Sequence, residues 1–298
     1  MKDRKIGIVT VLYNSEKVLQ DFFISLNRQT YKDFILYIID NASSDCSIEF
    51  AHRLAKEMDF QSYFICNNQN CGVAKGNNQG IKKALLDGCD YILLSNNDIV
   101  LNENCIELLL EKSKSDDIKV VVPKIYFYNS EYLWYAGGRF IDYKGAVAHW
   151  GYMERDASEY NEAKFVEYAP TCVALIHSSV FSEIGYFDEK YFVYYDDTDF
   201  MRRLKLSKIN VLYYPQAFLW HKESMSTGGM KSDFSIYYMS RNQIFYILKY
   251  FNRTKLVLFS LYSICHFFIK KIFGLSFKQK KILFKGYKDG WMLYRNNC

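Results

Sequence analysis

The chain of 298 residues is half apolar and 24% charged, with 15 Gly and 3 Pro; such a composition supports a large folded core and excludes a collagen-like, low-complexity or disordered protein. Tyr, Phe and Trp make up 18% of it, which leaves many flat amphipathic side chains for a pocket or an interface. The net charge of +5 is uneven: residues 231–298 carry 13 Lys+Arg and 2 Asp+Glu, residues 1–230 carry 25 and 31, so an anionic partner is expected at the tail.

An apolar, β-branched run Ile6–Leu12 reads as a strand, and the pattern Val18, Leu19, Phe22, Phe23, Leu26 as a helix. The run ends without a small-residue cleavage site, so no signal peptide is expected. Further buried runs at Phe34–Ile39, Tyr63–Cys66, Tyr91–Ser95 and Lys119–Val122 alternate with helical segments Ile48–Met58, Ala74–Leu86 and Glu103–Lys114. Strands that are apolar throughout and alternate with helices predict an α/β fold with a parallel sheet covered by helices. Three of these strands end in polar clusters: Tyr13-Asn14, Asp40-Asn41 and Asn96-Asn97-Asp98. In open α/β sheets the ligand lies beyond the carboxyl ends of the strands, so the three should meet at one site. Each alone also suits a turn or a helix cap.

From Lys124 to about Gly229 the pattern loosens: Tyr126–Trp150 is irregular and hairpin-rich, Phe165–His177 is strand, turn and strand, and Ser178–Ile184 is a short helix. The glycine loop Asn70 to Gly80 opens a helix whose N-terminus can face a phosphate, or whose glycines allow close packing on the sheet. Asp98 on a tight turn is a hard oxygen ligand suited to Mg²⁺ or Mn²⁺. Asp196-Asp197-Thr198-Asp199 follows five aromatic or apolar residues, Tyr191 to Tyr195, and precedes the helical Phe200–Leu204. Asp197 or Thr198 suits its N-cap; a carboxylate there, walled by rings, also suits a general base toward a sugar hydroxyl. His221, after Trp220, reads as structural or as a metal or phosphate ligand. Eight scattered Cys without a CxxC pair read as free thiols in a reducing compartment, with no zinc site.

Taken in order, Val11-Leu12-Tyr13-Asn14, Ile39 to Asp45, Asn70 to Gly80, Leu94 to Asp98 and Tyr195 to Asp199 resemble the inverting glycosyltransferases of family 2 with the GT-A fold. The nearest subgroup is the rhamnosyltransferase-like enzymes of bacterial surface polysaccharide assembly, and the resemblance covers residues 5–245. It implies a Rossmann-like, mostly parallel sheet flanked by helices, with residues 1–230 as the catalytic domain. Within it, 1–123 form the nucleotide-sugar half and 124–230 the acceptor half; residues 231–298 are a basic, aromatic helical extension. By position it implies nucleotide-sugar contacts at Tyr13, Asn14, Asp40, Asn41, Asn70, Asn77, Asn96 and Asn97. Metal ligation falls to Asp98 and His221, holding Mn²⁺ or Mg²⁺ at the diphosphate. The base is expected at Asp197, with Asp196 beside it, and acceptor or supporting roles at Asp199, Trp220 and Arg241. The first acid of the family's DxD motif is Asn96 here, which suits a deoxyribose donor such as dTDP-rhamnose beside a UDP-hexose, and the Glu of its Glu-Asp pair is Asp196. The implied partners are a nucleotide-sugar donor and a glycan or lipid-linked glycan acceptor. A homo-oligomer is compatible with the sequence. Two rivals are a silent binding protein of the same fold, against which Asp98, Asp197 and His221 stand together, and a sugar nucleotidyltransferase, against which Tyr13-Asn14-Ser15-Glu16 replaces a triphosphate loop.

No run reaches the roughly 18 apolar residues of a membrane span; the nearest, Leu256–Ile269, stops at Lys270-Lys271. The tail interleaves aromatics and lysines, as in Phe267 to Phe273 and Phe277 to Lys285, a pattern of helices lying in a membrane interface. Packing of Leu256–Phe273 on the catalytic domain or on a second subunit is the alternative. No nucleic-acid module matches it. The expected place is cytoplasmic, at the inner face of the cell membrane, with 250–298 as the peripheral contact.

Overall fold

The computed structural model describes residues 5–222, 232–266 and 274–297. Its first half alternates β1 (Ile6–Leu12), α1 (Glu16–Asn27), β2 (Phe34–Asp40), α2 (Ser47–Glu57), β3 (Gln61–Cys66), α3 (Val73–Leu86) and β4 (Tyr91–Ser95). Then come β5 (Ile99–Leu101), α4 (Cys105–Asp116), β6 (Val120–Phe127), β7 (Leu133–Tyr135), β8 (Gly138–Ile141), β9 (Ala146–His149), β10 (Lys164–Val166) and β11 (Val173–His177). α5 (Ser179–Ile184), α6 (Asp196–Leu206) and β12 (Val211–His221) follow. The described chain closes with α7 (Asp233–Tyr250), α8 (Arg253–His266) and α9 (Phe277–Arg295).

The main sheet runs β10-β12-β6-β11-β4-β1-β2-β3, with β5 beside β12 and β7 beside β6. β1 is parallel to β2 and β4, β2 to β3, and β12 to β6, whereas β11 is antiparallel to both of its neighbours. α1 and α2 carry the chain outward from β1 to β3; α3 then returns it past β1 to β4. The strand order therefore reverses between β1 and β4, and ligands of open α/β sheets bind at such a reversal. Ile8 and Val9 of β1, Leu36 and Ile38 of β2, Leu93 of β4 and Val121 of β6 have no exposed surface, and Leu19, Phe22 and Phe23 of α1 are equally buried. Burial of each such side chain contributes roughly 1.5–3 kcal/mol.

Three elements depart from the expected pattern. β3 is an edge strand, half of its residues open to solvent with Tyr63 43% exposed, because it pairs with β2 on one side only. β5 is three residues long, too short to show a period. β12 is a continuous 11-residue strand where loops were expected; its pairing with β6 shifts register between Tyr214 and Phe218, and Pro215, which has no N–H to donate, sits in that shift.

The described residues of 1–138, 149–192 and 196–226 form one compact unit, and those of 139–148, 193–195 and 227–298 form a second. Within the second unit α9 lies against α7. A Cβ on Gly286 would stand 2.0 Å from Ser240 Oγ, and one on Gly290 2.2 Å from the Arg241 carbonyl oxygen, so these glycines permit the contact. Tyr237 donates to Asp289 at 2.8 Å, and Ser276 with Gln279 closes a capping box at the start of α9. The helical tail has a break at 251–252 that the sequence pattern did not predict. The basic aromatic run Phe267–Phe273 lies outside the described residues. Among the described residues no helix is long and apolar enough to cross a membrane.

Candidate active site

The carboxyl ends of β1, β2 and β4 are linked by side chains that the sequence singled out. Asn14, held at φ 52°, receives the Ser44 N–H on its Oδ1 at 2.8 Å and donates its own N–H to Ser43 Oγ at 3.0 Å. Ser43 in turn donates to the buried Asp40 at 2.6 Å. Asn41 donates to the Gly72 carbonyl at 3.0 Å and accepts from Asn67, while Asn97 donates to the Val11 carbonyl at 2.7 Å. Tyr13 is 38% exposed and Asn96 is exposed at this rim.

The glycines of the loop and of α3 make close contacts. Gly72 has φ +85°, and a Cβ there would lie 2.5 Å from the Phe192 carbonyl oxygen. The Val73 N–H donates to that same oxygen at 2.6 Å, so the first amide of the helix is already taken. Gly80 lets α3 sit on the sheet, since a Cβ would stand 2.5 Å from Val9. Asn70 accepts the Gly72 N–H, and Asn77 is buried within α3. Asn78, which the sequence reading passed over, exchanges two hydrogen bonds of 2.9 Å with the backbone of Phe187.

β4 and β12 bring Asp98 and His221, 123 residues apart, to 3.1 Å between Oδ1 and Nε2. Burial pushes the Asp98 carboxyl up, but the hydrogen bond and charge of His221, with the Asn96 side chain, outweigh it and leave Asp98 below the usual carboxylate range. Nδ1 of His221 is buried without a hydrogen-bond partner, an arrangement that native proteins explain by a ligand or a functional role. No group of three or more His, Cys, Asp or Glu side chains among the described residues could hold a metal. A carboxylate and an imidazole together nevertheless fit a hard cation that completes its shell with water and substrate phosphates.

α6 starts at Asp196, so Asp197 and Thr198 lie inside its first turn and neither is the N-cap. Asp196 is buried; desolvation, then the charges of Asp197 and Asp199, raise its pKa. Burial also raises Asp197, opposed by hydrogen bonds from Tyr168 and Thr198 and by the charge of His149. The Tyr168 hydroxyl donates to Asp197 Oδ2 at 2.5 Å, and the Thr198 N–H and hydroxyl donate to Oδ1 at 2.6 and 3.1 Å. A carboxylate offers about four lone pairs, so one acceptor position stays open. Asp199 is fully buried and holds Tyr191 and Arg203, a supporting role only.

Tyr191 of the expected run is turned to Asp199. The ring bonded to Asp197 comes from outside that run: Tyr168 stacks on His149 (5.7 Å between centroids), His149 meets Trp134 edge-on at 4.9 Å, and Trp134 meets His221 at 4.7 Å. This row of rings joins the base candidate to the metal candidate, and Trp134 Nε1 in it is buried without a partner. Its members are single aromatics in irregular segments, which carry no periodic or motif signal.

One nominated residue, Trp220, is not brought to the site. Trp220 precedes His221 on β12 and therefore points to the other face, where it packs on Phe218 and Tyr126. Arg241 lies in the second unit, with its Nε donating to Asn242 at 2.8 Å.

Glycosyl transferase family 2 matches residues 7–185, more than half of the chain. The chain belongs to this family. Among curated relatives, Glycosyltransferase GlyG of Streptococcus pneumoniae serotype 4 is 25% identical over 238 residues, 78% of this chain and 74% of that protein. The low-salt glycan biosynthesis hexosyltransferase Agl10 of Haloferax volcanii is 24% identical over 245 residues, 80% and 74% of the two chains. The crystal structure of S. aureus TarS 1–349 in complex with UDP superposes with a TM-score of 0.61 at 15% identity, over 98% of this chain and 82% of that one. At that identity the likeness is one of fold: the GT-A arrangement of a mostly parallel sheet flanked by helices, here with a helical C-terminal extension.

Proposed function

We propose that this family 2 glycosyltransferase moves a sugar, with inversion, from a nucleotide-sugar donor to a glycan or lipid-linked glycan acceptor in surface polysaccharide assembly. The observation that carries the reading is the approach of Asp98 and His221 at the strand-order reversal, joined by one row of rings to Asp197. Asn14, Asp40, Asn41, Asn96 and Asn97 line the nucleotide side. The TarS neighbour solved with UDP-GlcNAc supports a nucleotide sugar here, with a UDP-hexose or dTDP-rhamnose as the donor.

Asp98 and His221 would hold Mn²⁺ or Mg²⁺, which when bound supplies positive charge to the leaving diphosphate. Asp197 takes the proton of the acceptor hydroxyl at the acceptor position left open on its carboxylate. Tyr168 keeps that carboxylate in one orientation: burial and the Asp197 charge raise the phenol's pKa, so it stays protonated and donates. The activated hydroxyl then displaces the nucleoside diphosphate in one step, with no enzyme nucleophile. The apolar helix α8 and the lysine-rich helix α9 would meet the inner face of the cell membrane, near a lipid-linked acceptor.

The test is a thermal-shift panel of UDP, dTDP, GDP and CMP with and without Mn²⁺, on the wild type, Asp98→Asn and Asp197→Asn. A ligand at about 100 times its Kd stabilises by roughly 2.7 kcal/mol, several degrees in Tm. One nucleotide should shift the wild type and Asp197→Asn in a metal-dependent way and lose that dependence in Asp98→Asn. A flat panel at millimolar ligand refutes the donor reading.

A further inference from the structure

On the face of β12 opposite His221, Trp220 and Phe218 stand beside Tyr126 of β6. Their ring centroids lie 5.4 to 6.4 Å apart, and all three rings are half-buried. They floor an open cavity of about 480 Å³, within the roughly 300–1,000 Å³ of small-ligand sites. Trp220 also borders a second cavity of about 590 Å³. The walls of the first carry Arg155, Asp156 and Glu131.

This cavity is built on a buried polar network. Lys124 is 2% exposed and donates to both oxygens of Asp156, at 3.1 and 2.9 Å; it also reaches Asn161, while the Tyr126 hydroxyl donates to the same carboxylate. Burying an ammonium is costly unless it is paired, and the pairing fixes the Asp156 carboxylate and the Tyr126 ring at the cavity wall. With three hydrogen bonds from Lys124 and Tyr126 on Asp156, one of about four acceptor positions remains for a ligand. Arg155 lies over the Tyr132 ring at 5.8 Å with its guanidinium exposed, and Glu131 is exposed.

Trp220 and Tyr126, tilted 31° to one another with Phe218 edge-on to both, offer ring faces with a fixed carboxylate and a guanidinium at their edge, a surface that matches a neutral pyranose. The C–H face of the sugar lies on the rings, and its equatorial hydroxyls pair with the carboxylate and guanidinium. Asp156 is balanced by Lys124 and Glu131 by Arg155, so the cavity has no excess positive charge to draw a polyphosphate backbone. We propose that the cleft over Trp220 is a glycan-binding subsite, separate from the Asp98–His221 face, that holds a neutral hexopyranose segment. The choice of a sugar as occupant rests on the transferase reading.

The full chain is titrated with cellotetraose and with tetra-N-acetylchitotetraose, without nucleotide or metal, by tryptophan fluorescence and saturation-transfer NMR. Saturable binding of one of them is expected, weakened about tenfold or more in Trp220→Ala and several-fold in Arg155→Ala, whose exposed side chain bears little on folding. Trp220→Phe, which keeps a ring, should fall between, and Asp98→Ala should bind like the wild type. Binding of neither sugar by the wild type overturns the subsite. Equal binding by wild type and Arg155→Ala, or loss in Asp98→Ala, overturns it as well. Because no nucleotide is present, its failure leaves the donor panel untouched, and failure of that panel leaves this binding to be read on its own.

Discussion

Asp196 and Asp197 are neighbours in the first turn of α6, yet their surroundings separate their roles. Asp196 is buried and held by backbone N–H groups, whereas Asp197 keeps one acceptor position beside Tyr168. The helix N-terminus favours both charges, but burial and mutual repulsion dominate and raise both pKa values. An acid whose folded pKa exceeds its unfolded pKa contributes stability below the unfolded value. That contribution is lost as pH rises through the folded value. Asp196→Asn has no proton to lose there and relieves Asp197 of a like charge. The Tm difference, variant minus wild type, should therefore become more positive between about pH 5 and about pH 9. Parallel melting curves across that range would show that Asp196 does not titrate with a raised pKa. The acid pair itself was readable from its cluster of carboxylates. Tyr168, His149 and Trp134 were not, because a lone aromatic in an irregular loop looks the same in sequence whether it fills a core or orients a carboxylate.

At the scale of elements, β1 to α4, apart from the three-residue β5, were legible because each strand is a short apolar run and each helix shows an apolar stripe, and both signals are local. β12 was not, because Pro215 and the register shift beside it break the pattern of a strand that tertiary pairing with β6 completes. The approach of Asp98 to His221 depends on the pairing of β12 with the short β5, where His221 lies opposite Ile99, so the ligand pair was visible only as two separate residues. The turn into α3 shows the same dependence on distant chain. Gly72 is required by its φ of +85° and by the Phe192 backbone against it. Gly72→Ala should cost roughly 1–3 kcal/mol and lower Tm by several degrees, because a backbone carbonyl cannot swing aside as a side chain does. Gly88 has φ +78° with nothing within 4 Å, so Gly88→Ala isolates the conformational cost and should lower Tm less. Equal losses in thermal melts of the two variants would remove the Phe192 contact from the explanation.

At the scale of the whole molecule, the basic tail raises the question of what its helices touch. The structure narrows it, because α9 is committed to α7 through Gly286 and Gly290 and the Tyr237–Asp289 bond. Deleting 250–298 would therefore uncover α7 as well as remove any membrane contact, and point substitutions are the cleaner test. On α8, Val257, Leu258 and Leu261 are 58%, 50% and 57% exposed. The spacing of 257, 258 and 261 places them along one side of the helix. Lys255, the one lysine of α8, is paired with Asp142; exposed apolar side chains on a helix of a basic tail suit an anionic interface, where each lysine of the tail that meets it contributes about 1 kcal/mol and salt weakens the attraction. The wild type should co-sediment with phosphatidylglycerol vesicles, less so as salt is raised, and Leu258→Glu with Leu261→Glu should abolish the binding without lowering Tm. If instead the wild type ignores vesicles but is a dimer by sedimentation equilibrium, and the same double substitution makes it a monomer, then a second copy covers this face. The lysines of the tail would then serve solubility rather than attachment.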